Sequence, residues 1–372
     1  MAPRSIGSLS LWHRMQQPEI EERRKLDDRV DVGVLGATGA VGQRLVQHLE
    51  DHPWFRLAEV CGSEASVGKT LAERTGAGAD QFSSATQGLE LQALDGPWTS
   101  SILLSALPSE AAQKSEVQLA EAGHLVVSNA SSHRMGELVP LLIPEVNSHH
   151  LDLVGHQPWK GALVTNPNCA AVGLVVALAP LHETFGIESV VTTSFQSISG
   201  AGLPGPPAAS LVDNVIPFIG GEEHKLTCEP QKILGTVTPE GVEPATFPVS
   251  ASCTRVPVLD GHLLAVSVAL TGKPSVEDVT AAFEAYRGPD ACRDLPSAPE
   301  HVLQVLAADD RPQPRLDRDL GQGMTVSVGR IRRCEVLDSK FFVLSHNLVR
   351  GAAGAALLNA ELCHAQGVLR SG

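Results

Sequence analysis

The chain has 372 residues, 43% of them hydrophobic, enough for two or three domains with filled cores. Its formal net charge of −14 opposes non-specific association with nucleic acid or an anionic membrane, while leaving room for local basic sites that take small anions. Seven cysteines without a C-x-x-C pair argue against a disulfide framework or a zinc site and for reduced thiols in the cytoplasm, and the sequence holds no run of about 18 apolar residues that would read as a membrane span.

Residues 1–29 differ in texture from the rest of the chain, with Arg4 and Arg14 in an acid-free start and dense mixed charge from Glu19 to Arg29. They read as a disordered or loosely helical tail; a transit peptide would carry more arginine and a clearer amphipathic period. Residues 30–35 read as a buried parallel strand running into Gly36, Ala37, Thr38, Gly39, Ala40, Val41 and Gly42, with a helix over 43–50. Glycines at 36, 39 and 42 allow a tight turn, close approach of backbone to a phosphate, and close packing of helix on strand. An empty glycine-rich turn would look alike, so the signal gains its weight from the strand before it and the helix after it.

A second strand, 55–60, ends at Cys61–Gly62–Ser63–Glu64–Ala65–Ser66 and Lys69. A cofactor with a free ribose 2′-hydroxyl calls for an acid near this point. Ser63, Ser66 and Lys69 suit a 2′-phosphate better, and Glu64 keeps NAD(H) open beside NADP(H). Strands over 101–107 and 124–129, with a crossover helix at 109–122, complete a βαβ pattern that predicts a doubly wound, Rossmann-like parallel sheet. Ser105 and Leu107 end one of these strands at the edge where such sheets bind ligands.

Next, Thr165-Asn166-Pro167-Asn168-Cys169-Ala170-Ala171 sets a cysteine at the mouth of an apolar run. Unpaired N–H groups and the dipole at a helix N-terminus lower a thiol's pKa, which is how a nucleophile is made, although a buried structural cysteine fits the same pattern. The helix expected from 170 meets Pro180, which should kink or end it. Beyond it, 190–197, 254–259, 263–270, 324–331 and 340–344 read as strands of a largely antiparallel sheet, with a turn-rich loop at 200–207 and helices at 276–286 and 349–363. A second, α+β domain therefore begins near Cys169. Within it Gln196, Glu222, Lys225, Arg255 and His262 stand out, since arginine forks onto carboxylates and histidine moves protons near neutral pH. Nothing local separates His262 from the other histidines among the chain's 14.

On these motifs the chain resembles the aspartate-semialdehyde dehydrogenases, and within them the archaeal and fungal branch. The matching stretches are GATGAVG at 36–42, NPNC at 166–169, SFQSISGAG at 194–202, NVIPFIGGEEHK at 214–225, RVPVLDGH at 255–262 and NLVRGAAG at 347–354. They run in order over nearly all of the chain after the tail. The resemblance implies NADPH-dependent reductive dephosphorylation of L-aspartyl-4-phosphate to aspartate 4-semialdehyde and phosphate, a step toward lysine, threonine and methionine.

It implies Cys169 as the nucleophile that carries a thioester, His262 as the acid/base, and Gln196 as the residue orienting the reacting carbonyl. Arg255 would grip the substrate α-carboxylate, Glu222 the α-ammonium, and Lys225, Arg134 and Asn168 the phosphoryl group. The implied cofactor contacts are Gly36, Thr38, Gly39, Ala40, Val41, Gly42, Ser63, Ser66, Ser105, Leu107, Gly200 and Asn347. Residues 30–167 with 349–372 would form the dinucleotide-binding domain and 168–348 the catalytic and dimerisation domain of a homodimer or tetramer.

The substrate's own charges agree, because one ammonium beside a carboxylate and a phosphate calls for one acid and several bases. Ala65 stands where the family often has an arginine, which loosens the reading of NADP over NAD. Two rival readings are a relative with the same Cys/His chemistry, such as malonyl-CoA reductase or N-acetylglutamyl-phosphate reductase, and a catalytically silent dinucleotide-binding protein. Neither rival substrate would need Glu222 for an ammonium, and a silent protein has no need of Cys169, Gln196, Arg255 and His262 together.

Overall fold

The computed structural model describes residues 28–368, so the tail expected over 1–29 lies almost wholly outside the described residues. Short apolar strands Val30–Leu35 (β1), Phe55–Cys61 (β2), Leu91–Gln92 (β3), Ile102–Ser105 (β4), Leu125–Ser128 (β5) and Ala162–Thr165 (β6) form one sheet in the order β3-β2-β1-β4-β5-β6, parallel throughout. Such strands must be covered on both faces. Helix Ala40–Leu49 (α1) and the C-terminal helix Gly354–Ala365 (α6) cover one face, where Leu45 and Val46 meet Val32, Val34, Leu357 and Leu358. Helix Ser109–Ala122 (α2) covers the other with Ala112, Leu119 and Ala120 against Leu35, Leu103 and Val126. The strand order reverses between β1 and β4, so the loops after these two strands open a crevice at the carboxyl edge.

The second sheet has the order β10-β7-β11-β14-β13-β12, built from Ile187–Gln196 (β7), Val249–Arg255 (β10), His262–Leu270 (β11), Leu303–Leu306 (β12), Val326–Arg333 (β13) and Ser339–Ser345 (β14). A small hairpin, Thr236–Thr238 (β8) and Gly241–Glu243 (β9), stands apart. The sheet is antiparallel at its centre and parallel at both edges, so it is more mixed than the sequence suggests. Its inner face packs against helix Cys169–Phe185 (α3) and helix Val276–Ala285 (α5).

Three expectations need correction. The strand expected at 254–259 lies at Val249–Arg255, because pairing with β7 ends at Arg255 and the chain then turns through Pro257. Helix α3 does not break at Pro180 but continues to Phe185. An interior proline costs about 3 kcal/mol, which burial of the whole apolar stretch from Ala170 to Leu181 offsets. The last helix opens with a π-turn at Val349–Ala353 before α6 begins.

Candidate active site

Four chain segments converge at one edge of the second sheet. Arg255 and Gln196 are register partners at the parallel ends of β10 and β7, and His262 opens the neighbouring β11. Cys169 is the first residue of α3, whose cap Asn168 accepts the Ala170 and Ala171 N–H groups on its Oδ1, at 3.0 and 3.3 Å. Cys169 Sγ lies 3.2 Å from His262 Nε2, and the cysteine remains partly open to solvent while His262 is fully buried. Gly200 lies against both partners of this edge: a Cβ there would come within 2.9 Å of His262 Cε1 and 3.0 Å of the Arg255 guanidinium. Gly351 does the same for Cys169, since a Cβ would reach Cys169 Cβ at 2.7 Å. The π-turn thus sets backbone directly behind Cys169, a common place for such turns.

Helix Glu222–Ile233 (α4) supplies the charges. Its residues Glu222, Lys225, Glu229 and Lys232 follow helical spacing and share one face. The Glu222 carboxylate accepts from Lys225 Nζ at 2.8 Å, from Asn168 Nδ2 at 2.8 and 3.0 Å, and from Gln196 Nε2 at 3.2 Å. Burial alone would raise its pKa, but these donors, Lys225 foremost, hold it below the usual carboxylate range. Glu229 accepts the Asn168 backbone N–H at 2.6 Å and Arg134 Nη1 at 3.0 Å, while Arg134 Nη2 donates to Asn129 O. Lys232 donates to the carbonyls of Arg134, Gly136 and Val139, which pins the loop carrying Arg134.

Glu229 and Lys232 were not legible without α4; an E-x-x-K-x-x-x-E-x-x-K spacing on one face is the signal that finds them. Arg350 was missed too. It is fully buried and forks onto Glu145 at 2.7 and 3.0 Å, anchoring the π-turn.

The electrostatics differ from the sequence expectation. Burial, followed by the Glu222 charge, pushes the Cys169 thiol up to about 12, against the pull of Arg134, Lys225 and Arg255. Burial and then Arg255 push His262 down to about 3. The N–H groups expected to stabilise a thiolate are taken by Asn168 Oδ1, so the resting pair is a neutral thiol beside a neutral imidazole.

At the carboxyl edge of the first sheet, the β1–α1 turn is shaped by two obligatory glycines. Gly36 has φ +77°, and a Cβ there would meet Ala106 O at 2.8 Å; at Gly42 it would collide with Gly36 O. Gly39 caps α1 with no side-chain bond, and a Cβ on it would find the nearest protein atom at 3.5 Å. The fold tolerates a side chain at 39, and its lack leaves a cradle at a helix N-terminus, which fits a phosphate. Gly36, Thr38, Gly39, Ser63, Glu64 and Leu107 line a cleft of about 1170 Å³ here. Ser66 is fully buried behind Ser63, with the two hydroxyls 3.0 Å apart, and Ser105 is likewise fully buried. Lys69 Nζ donates to Ala65 O, and Asn347 is buried beside His262.

Residues 31–154 match the family described as "Semialdehyde dehydrogenase, NAD binding domain", and 178–350 the one described as "Semialdehyde dehydrogenase, dimerisation domain". An aspartate-semialdehyde dehydrogenase of Archaeoglobus fulgidus is 48% identical over 90% of this chain and 98% of its own, and that of Methanothermobacter thermautotrophicus 44% over the same shares. The chain belongs to the aspartate-semialdehyde dehydrogenase family. A crystal structure of the Candida albicans member with NADP superposes with a TM-score of 0.85 at 38% identity, covering 91% of this chain and 100% of that one. Both sheets of the family fold are therefore present. Among the described residues, no group of three or more His, Cys, Asp and Glu side chains could hold a metal ion, and no helix is long and apolar enough to cross a membrane.

Proposed function

We propose that this protein reduces L-aspartyl-4-phosphate to aspartate 4-semialdehyde with release of phosphate, using NADP(H). The observation that carries the reading is the Cys169 Sγ to His262 Nε2 distance of 3.2 Å, with the charges of Glu222, Arg255 and Lys225 acting on the sulfur. From the neutral ring with its proton on Nδ1, the thiol proton passes to Nε2 as sulfur attacks the acyl carbon, and phosphate leaves as the thioester forms. Gln196 Nε2, which rests 3.2 Å from Glu222, is the donor for the developing oxyanion.

Lys225 and Asn168, which rest on Glu222, turn to the phosphoryl group, freeing that carboxylate for the substrate's ammonium. Arg255 takes the α-carboxylate. Bound at the Gly36–Gly42 turn, NADPH supplies the hydride. His262 then returns the proton to the departing sulfur.

Glu222 favours the aspartyl substrate over an acyl-coenzyme A, which carries no ammonium at that position. We further assign residues 30–167 with 349–372 to cofactor binding and 168–348 to catalysis and pairing of two chains. Val191, 48% exposed on the outer face of the second sheet, supports pairing there, which light scattering at micromolar concentration checks against a monomer. The free thiols support a reducing, cytoplasmic setting.

The test is phosphate-dependent NADP reduction with aspartate semialdehyde, run beside NAD and beside malonyl-CoA. Turnover with aspartate semialdehyde that Cys169→Ala abolishes while cofactor binding persists is the expected result. Turnover of malonyl-CoA alone, or an active Cys169→Ala variant, overturns the reading.

A further inference from the structure

The far nitrogen of His262 faces two groups of a single residue. The Ser197 backbone N–H donates to Nδ1 at 3.1 Å, and Ser197 Oγ lies 3.1 Å from the same atom. A backbone amide only donates, so it suits the neutral ring with its proton on Nε2. That form cannot accept a proton from Cys169, because Nε2 is already occupied. The ring that takes the thiol proton carries hydrogen on Nδ1 before and after the transfer, and this hydrogen needs an acceptor.

Whether Ser197 Oγ can accept is decided by Asn347. The Gly261 N–H donates to Asn347 Oδ1 at 2.8 Å, which identifies that atom as the amide oxygen. Ser197 Oγ is 3.0 Å from the same oxygen and can donate its one hydrogen there, which leaves its lone pairs for Nδ1 when that nitrogen is protonated. Asn347 Nδ2 donates to Ser199 Oγ at 2.8 Å, which holds the amide at both ends. Ser197, Asn347 and His262 are all buried. The charged and titratable groups facing the ring are Cys169 from α3, Arg255 from β10, Glu222 from α4, Asp260 from the turn before β11 and His346 from the segment after β14. Among the described residues, only Ser197 is hydrogen-bonded to Nδ1.

We propose that Ser197 and Asn347 are positioning residues for the acid/base: Asn347 turns the Ser197 hydroxyl into an acceptor, and the hydroxyl steadies His262 whenever Nδ1 carries a proton. This places a neutral pair in the orienting role that a carboxylate fills in many nucleophile–histidine sites. It rests on the roles given above to Cys169 and His262, and it gives both side-chain polar atoms of Asn347 a partner within the chain.

The test is the pH profile of kcat/KM for phosphate-dependent turnover at saturating cofactor. Ser197→Ala keeps the backbone N–H and loses the acceptor. Its neutral-pH plateau should fall about tenfold, and the deficit should shrink as rising pH begins to ionise the thiol without help from His262. Ser197→Thr should restore the plateau. Asn347→Asp keeps the accepting oxygen and adds negative charge that favours the imidazolium, so the acid limb should move up by about half a pH unit or more.

A Ser197→Ala profile that overlays the parent, or lies below it by the same factor at every pH, overturns the proposal. So does an Asn347→Asp acid limb that stays in place, which decides the matter if Ser197→Ala does not fold. An inactive parent, or an active Cys169→Ala, would instead sink the functional reading.

Discussion

Two strand-to-helix turns at the carboxyl edge of the first sheet treat their helix N-termini in opposite ways. After β1, α1 begins at Gly39 with no side chain over its first N–H groups. After β6, α3 begins behind Asn168, whose Oδ1 takes the first-turn donors for the chain itself. The first turn leaves its donors uncovered by any side chain. The second uses them to fix the direction of one side chain, Cys169, which must then find its proton acceptor in His262 and its charge balance in α4. One cap residue decides whether a helix N-terminus leaves its donors open or closes them over its own chain.

The largest effect that would sharpen this contrast is at the second turn. Gly351→Ala should push Cys169 away from His262 and lower kcat about 100-fold with the fold retained, since shifts near an ångström in reacting groups cost that much. Near-parent kcat in a crystallised variant would show that the close backing of the sulfur is dispensable. At the first turn, Gly39→Ala should leave thermal stability unchanged and weaken NADPH binding about tenfold by fluorescence titration, whereas Gly42→Ala should destabilise the fold itself by about 1–3 kcal/mol. Equal NADPH affinity in Gly39→Ala and parent would remove the phosphate from that cradle.

The pH behaviour is set by the raised thiol pKa, which keeps Cys169 protonated to higher pH than a free thiol. Iodoacetamide labelling of Cys169 in the ligand-free protein, read on its peptide, should therefore keep rising beyond pH 9. A plateau below pH 8 would mean that the helix N-terminus activates the sulfur after all. The smallest effect is Asn168→Ala, which should cost about 1 kcal/mol in urea unfolding through loss of the cap. An unchanged midpoint and slope would erase the difference between the two turns.

Much of the first sheet was legible because its signals are local: a strand, three glycines and an amphipathic helix succeed each other within 20 residues. Strand β6 escaped because its four residues run directly into the Asn-Pro-Asn motif, and β3 because it has two. The candidate residues were readable one by one through their motifs, but not as a geometry. Arg255 was expected inside a strand and proves to end one, and that end is what brings it level with Gln196. Helix α4 went unassigned because glycines precede it and Pro230 interrupts it, so Glu229 stayed hidden although it ties Arg134 to the cap of α3. The thiol's raised pKa was unreadable for a related reason: it depends on burial and on which acceptor captures two backbone N–H groups.

The π-turn has a consequence for how the protein is made. Asn166, just ahead of the nucleophile, donates to Ala352 O, a residue 186 positions later, and Gly351 forms the wall behind Cys169. On the ribosome, the sulfur and its histidine emerge well before that wall does. The nascent chain therefore carries Cys169 and His262 without their backing until the π-turn docks, and the pair is complete only then.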